Sequence, residues 1–141
     1  MKQTKTILRV VPLMLLLALL LSACSTPVPV SWEEATYQKD ATVGDGATAV
    51  TVKVTAEDKT ITITLNTDKT DLAEAMLAAG LCAGEEGAYG LYIKYVNGIR
   101  ADYDLDGGYY WKLVVDGEDS MMGASGTAIA PGSVYEFVRT K

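Results

Sequence analysis

Two runs of alternating apolar and polar residues constrain the fold of this chain most. The apolar positions are Val50, Val52 and Val54 in the first run and Ile61, Ile63 and Leu65 in the second. A period of two is typical of strands that bury one face. The four residues between the runs, 56–59, fit a short hairpin loop. The sequence therefore predicts an antiparallel β-hairpin at the start of the domain.

The apolar period then changes to that of a helix. The positions that share one helix face are Leu72, Ala75, Met76 and Ala79. Asp71, followed three residues later by Glu74, resembles a capping box, and Gly80 suits the position just beyond a helix C-terminus. We expect one helix, with its apolar face packed on the hairpin's sheet.

The remaining chain reads as strands separated by turn signals. Residues 91–96, 109–115 and 134–138 have strand patterns, and 83–90 is a loop rich in glycine and glutamate. Asn97-Gly98 and Asp116-Gly117 are strong hairpin signals, and Pro131-Gly132 fits the centre of a type II turn. The predicted fold class is α+β, a mostly antiparallel sheet with one helix packed on a face and a β-grasp-like ββαβ order. We expect both hairpin turns to belong to that one sheet.

The N-terminus has the pattern of a lipoprotein signal peptide. Lys2, Lys5 and Arg9 precede a nearly unbroken aliphatic run, 10–21, which is too short to span a bilayer. Leu21-Ser22-Ala23-Cys24 matches a lipobox, so we expect cleavage before Cys24 and acylation of its sulfur. Two acyl chains would hold the protein permanently on the outer face of the cell membrane. The predicted divisions are signal peptide 1–23, lipid anchor and tether 24–46, and domain 47–141.

Charge excludes one class of partner. Cleavage would remove three basic residues, which leaves nine basic and eighteen acidic residues and a net charge of about −9. Such a surface repels phosphate backbones, so we expect no nucleic-acid binding.

With Cys24 acylated, Cys82 has no partner for an intramolecular disulfide. Within the tether, Trp32 is predicted to contact either the domain or the membrane interface.

The sequence lacks the usual catalytic groups. It contains no histidine, which removes the commonest general base and transition-metal ligand. Cys82 follows the helix C-terminus, where the helix dipole raises a thiol pKa, and we read it as a small buried hydrophobe. We predict no enzymatic activity, no cofactor and no resident metal, and a hydrolase that uses carboxylates is the alternative.

One acidic motif resembles half of a calcium loop. Asp102, Asp104 and Asp106 alternate and are followed by Gly107, but the position of the bidentate glutamate is Leu113. A solvated acidic loop is the simpler interpretation, and calcium binding remains the alternative.

A cluster of aromatic and adaptable residues is the candidate site. If Trp111 points inward, Tyr110 points outward, where exposed aromatic residues can bind a ligand or simply cover the sheet. Residues 120–126 form a small-residue loop with two methionines, which can mould to a partner or merely fill an edge. The predicted ligand-binding residues are Tyr110, Trp111, Ser120, Met121, Met122 and Gly123. We expect loops 101–108 and 120–126 to flank them.

Residues from about 37 to the C-terminus resemble bacterial lipoproteins with a transcobalamin-like C-terminal domain, a family catalogued as a domain of unknown function. The segments that carry the resemblance are 67–69 (TDK), 90–94 (GLYIK), 96–99 (VNGI), Tyr110-Trp111, 115–118 (VDGE), Gly123 and Pro131-Gly132. Family members often have Asn where this chain has Asp116. In animal vitamin B12 carriers, such a domain closes over one face of cobalamin and a helical domain supplies the rest.

The resemblance implies a binding module for a small ligand such as a corrinoid. Together with the signal peptide, it predicts a lipid-anchored extracytoplasmic protein. The alternative is a cell-surface module that binds a protein partner through an edge strand or tyrosine face and has no small-molecule ligand.

Overall fold

The structure is a computed structural model that describes residues 32–141. The predicted signal peptide, Cys24 and the first part of the predicted tether lie outside the described residues. Among residues 32–141, no helix combines the length and the apolar character needed to cross a bilayer.

Nine strands and one α-helix follow a short 3₁₀ turn, Trp32–Glu34. The strands are β1 (Ala41–Val43), β2 (Thr48–Ala56), β3 (Lys59–Thr67), β4 (Cys82–Gly87), β5 (Gly90–Val96), β6 (Ile99–Arg100), β7 (Tyr110–Val115), β8 (Glu118–Asp119) and β9 (Val134–Thr140), and helix α1 is Leu72–Ala78. The larger sheet has the order β1-β3-β2-β9-β7-β8, and the smaller has the order β4-β5-β6.

The predicted hairpin is the β2–β3 pair. Its register opposes Val52 to Ile63 and Val50 to Leu65, so the alternating apolar residues share one face. All four are buried. The polar residues between them, mostly threonines, lie on the opposite face, which explains why the pattern alone identified both strands.

The larger sheet is mixed, with three antiparallel and two parallel strand pairs. β9 pairs with β7 in the antiparallel sense but with β2 in the parallel sense, and β1 is parallel to β3. β9 therefore lies at the centre of the sheet, where Tyr135 and Phe137 are buried. Parallel pairs join segments that are distant in the chain, and local sequence patterns carry no signal for them.

Helix α1 begins where the capping pattern predicts. The Asp71 carboxylate accepts a hydrogen bond from Glu74 N at 3.1 Å, and Gly80 has φ 66°, the conformation expected beyond a helix C-terminus. Leu72 and Met76 on its apolar face are fully buried.

The smaller sheet corrects two expectations. Residues 82–87 form strand β4, whereas 83–90 was predicted to be a loop, because an edge strand exposed on both faces needs no apolar alternation. The Asn97-Gly98 turn joins β5 to β6 in this sheet, and the Asp116-Gly117 turn joins β7 to β8 in the larger one. The two hairpin turns therefore belong to different sheets.

Residues 32–46, assigned to the predicted tether, lie against the domain. The indole nitrogen of Trp32 donates to Ala56 O at 3.2 Å, which favours the predicted contact with the domain. The Asn97 side chain accepts from Tyr37 N at 2.8 Å and donates to Tyr37 O at 2.7 Å, and β1 extends the larger sheet. Mostly strands in two sheets with one helix fits the α+β class, and the β-grasp order stays a prediction.

Candidate functional site

The two sheets leave a cleft between β5 and β7. Its walls are residues 91–93 of β5, residues 110–113 of β7, the loop 119–124 and Phe137 of β9, and they enclose about 410 Å³. This volume lies within the usual range for small-molecule sites. All six predicted ligand-binding residues line this cleft, and their role in binding stays a prediction. No residue of loop 101–108 lines it, so the second predicted loop lies elsewhere.

The cleft exists because β8 is short. β8 pairs with β7 only at Val114 and Val115, and Ser120 N then donates to Leu113 O at 2.9 Å. Backbone groups of successive residues point to opposite edges of an antiparallel strand, so Trp111, two residues before Leu113, points its N–H and C=O toward the same outer edge as Leu113. Along residues 110–112, no strand of the described chain pairs with this edge.

The floor of the cleft is apolar and its rim is polar. Trp111 is 9% exposed and Phe137 is buried, whereas Tyr110 lies at the surface. Lys112 forms an ion pair with Asp119 at 3.1 Å, so the charges that line the cleft cancel each other. This combination can bury an apolar, neutral molecule and hydrogen-bond its edges.

The indole nitrogen of Trp111 is the one buried side-chain polar atom without a hydrogen-bond partner in residues 32–141. The other tryptophan, Trp32, donates to a carbonyl oxygen. Buried polar groups are nearly always hydrogen-bonded, and an exception calls for a physical explanation.

Hydrogen bonds within the loop 119–124 help to stabilise this wall of the cleft. Ser120 Oγ donates to Met122 O at 2.8 Å and accepts from Met122 N at 3.2 Å. Met121 is 99% exposed and Met122 is also exposed, so neither thioether is fixed in the core. Flexible methionines on a cleft wall can adapt to an occupant.

Sequence reasoning missed the β5 wall. Leu91 and Ile93 are partly buried against the core, and Leu91 N donates to Ser125 Oγ at 3.0 Å. The strand pattern identified β5, but only the packing of two sheets brings it to β7. Tyr92, also on this wall, is exposed.

The acidic loop is an internal salt-bridged turn. Asp102 contacts Lys94 at 3.1 Å, and its other oxygen accepts from the amides of Asp104 and Leu105. The Arg100 guanidinium donates to Asp106 at 2.6 and 3.0 Å, and Asp106 is only 3% exposed in its side chain. A calcium ion would have to displace both cations from these carboxylates. No group of three or more potential metal ligands occurs among the described residues.

These ion pairs shift the acid equilibria of the loop. The hydrogen bond from Lys94 holds the pKa of Asp102 below its usual value, and that from Arg100 does the same for the pKa of Asp106. Both carboxylates therefore stay ionised to a lower pH than exposed ones.

Cys82 lies outside the cleft at the start of β4. Burial raises the pKa of its thiol to about 12. A thiol with that pKa has almost no thiolate at neutral pH and is a poor nucleophile.

Three comparisons with known proteins bear on this domain. The model of a family described as a domain of unknown function (DUF4430) matches residues 70–137. A crystal structure of a "putative metal binding protein" from Ruminococcus gnavus ATCC 29149 is similar with a TM-score of 0.61 and 26% identity, over 67% of this chain and 97% of that one. No curated protein matches the chain.

Haptocorrin in complex with Cbi is similar in fold, with a TM-score of 0.50 and 22% identity. The match covers 67% of this chain and 25% of the haptocorrin chain, so the matched part corresponds to a quarter of that protein. The resemblance to a transcobalamin-like domain is thereby confirmed for the domain's fold.

Proposed function

We propose that this protein is a lipid-anchored extracytoplasmic module that binds a small, planar and partly apolar molecule, such as a corrinoid, in the cleft between β5 and β7. The observation that carries the proposal is the convergence of all six predicted residues on one concave surface. An aromatic floor, a neutral rim and an adaptable methionine loop are the features expected of a small-molecule site.

Known structures support the proposal at the level of fold. Haptocorrin was crystallised with Cbi, and part of it is similar in fold to this domain. The resemblance to vitamin B12 carriers implies that this domain alone would cover one face of such a ligand. Little of the ligand's apolar surface would then be removed from water, so we expect weak binding. We do not propose metal binding for this chain, since Lys94 and Arg100 form ion pairs with the aspartates of the acidic loop.

Cobalamin titration of the full chain, followed by tryptophan fluorescence, tests the proposal. We expect saturable quenching that Trp111→Ala and a deletion of residues 120–126 abolish. Tyr103→Ala, which changes an exposed aromatic residue outside the cleft, is the matched control and should leave the titration unchanged. Circular dichroism must show that each variant is folded. Absence of saturation up to millimolar cobalamin would refute the corrinoid proposal.

The anchor is proposed from the lipobox alone. Cys24→Ala should prevent acylation and cleavage by the lipoprotein signal peptidase, because the sulfur that receives the lipid is absent. Metabolic labelling with an alkyne fatty acid measures this directly. If the wild-type chain remains unlabelled in its host, the proposed localisation is wrong.

A protein-interaction module is the second candidate, and the open edge of β7 favours it. Unpaired strand edges accept an extended peptide by backbone hydrogen bonding, and exposed tyrosines such as Tyr92 and Tyr110 could provide side-chain contacts. This candidate would be favoured if the cleft does not bind cobalamin but binds a partner that adds a strand to β7. In either case we propose a non-enzymatic protein, in keeping with the absence of histidine from the sequence and the high thiol pKa of Cys82.

A further inference from the structure

The indole N–H of Trp111, a residue that lines the proposed binding cleft, is a hydrogen-bond donor without an acceptor. The inference drawn from it rests on the function proposed above. Trp111 lines the cleft and is 9% exposed, and its Nε1 is buried without an acceptor among residues 32–141. A buried donor without a partner loses its bonds to water and gains none in return. A residue that only filled this position would not need the N–H group.

We infer that the Trp111 indole N–H is the donor that recognises the ligand, and that the ligand presents a neutral acceptor oxygen, such as an amide carbonyl, to it. The charge balance of the cleft argues for a neutral group. Lys112 is the only cation among the lining residues, and Asp119 already neutralises it. A ligand carboxylate would enter the apolar floor without a counter-ion, at a high desolvation cost.

Binding must also uncover the donor. Nε1 is buried, so an acceptor reaches it only when neighbouring side chains move. A ligand in the cleft would have to displace the side chains that cover Nε1, and the new hydrogen bond would replace the one that Trp111 lacks.

The chain contains two tryptophans, which gives the experiment an internal reference. The full chain with ¹⁵N-labelled tryptophan gives two indole resonances, and Trp32→Phe assigns them. On addition of cyanocobalamin, which is neutral and carries amide side chains, we expect the Trp111 indole proton to move downfield and exchange more slowly. The Trp32 indole, already bonded to Ala56 O, should stay unchanged.

An isosteric variant separates recognition from packing. Trp111→benzothienylalanine replaces the N–H by sulfur at nearly constant volume, and we expect roughly five- to tenfold weaker binding, as for the loss of one hydrogen bond. The thermal midpoint of the ligand-free variant should equal or exceed that of the wild type, because the unsatisfied donor is gone. A lower midpoint with unchanged affinity would show that the indole is structural and overturn the inference.

The outcomes distinguish this inference from the proposed function. If cyanocobalamin shifts methyl resonances of Met121 and Met122 but not the Trp111 indole, the cleft binds the ligand and the donor role is wrong. If no resonance shifts up to millimolar ligand, the proposed function and the inference both fail.

Discussion

Replacing Asn97 should detach the N-terminal segment from the domain and destabilise the fold. Asn97 is fully buried and has φ 53°, a left-handed conformation that asparagine tolerates better than most residues. Its amide forms two hydrogen bonds with the backbone of Tyr37, at 2.8 and 2.7 Å. Conformation and hydrogen bonding therefore contribute separately at this position.

Two variants separate these contributions. Asn97→Gly keeps the backbone conformation but removes both side-chain hydrogen bonds, each with a net value of about 0.5–1.5 kcal/mol, so the free energy of unfolding should fall by about 1–3 kcal/mol. Asn97→Ala also places a Cβ in the left-handed region, at a cost of about 1–2 kcal/mol. Part of this cost is offset because glycine is more flexible when unfolded. We expect the alanine variant to be less stable than the glycine variant by about 1 kcal/mol.

Urea denaturation monitored by circular dichroism measures both differences. Asp58→Ala, at an exposed turn residue, is the control and should stay within about 0.5 kcal/mol of the wild type. Amide exchange adds a local readout, since Tyr37 N should lose protection in both variants. If Asn97→Gly is as stable as the wild type, the contact with Tyr37 does not hold the segment in place.

Three further results are expected. The free energy of unfolding should decline as the pH falls below about 4, because Asp102 and Asp106 have folded-state pKa values below the usual one and stabilise the fold only while ionised; Asp106→Asn should flatten this decline in acid denaturation curves. In a Cys24→Ala background, Cys82 should react with iodoacetamide at pH 8 only after unfolding, and rapid labelling of the folded chain would contradict the burial described. Calorimetry with millimolar calcium should show no binding heat, since Lys94 and Arg100 already pair with Asp102 and Asp106; saturable heat that Asp102→Asn removes would instead support the calcium alternative.

Local patterns predicted those elements whose signal is local. The alternation of apolar and polar residues predicted β2 and β3, because each of these strands buries one face. The Asn97-Gly98 and Asp116-Gly117 pairs predicted hairpin turns, because Asn97 and Asp116 adopt positive φ beside a glycine. β4 was not predicted, because its residues after Cys82 are exposed and show no alternation of apolar and polar positions. β1 has three residues, too few for a periodic pattern.

Features that depend on distant segments could not be predicted in this way. The alternation of β9 shows which residues face the core but not that the strand pairs with β2 and β7. The candidate site was predicted in part for the same reason: β7 and the methionine loop are neighbours in sequence, whereas Leu91 and Ile93 reach the cleft through the packing of two sheets. The turn signal at Asn97 likewise did not predict that its side chain forms hydrogen bonds with the backbone of Tyr37.

The central position of β9 has a consequence for how the domain folds. Its partners β2 and β7 cannot form the observed sheet without it, and β2 begins 86 residues before β9 does. Loop-closure entropy opposes such distant pairing until the contacts form, so folding should be slow for a domain of this size. A chain that emerges N-terminus first from a ribosome or a translocation channel therefore cannot complete its larger sheet until β9 has appeared.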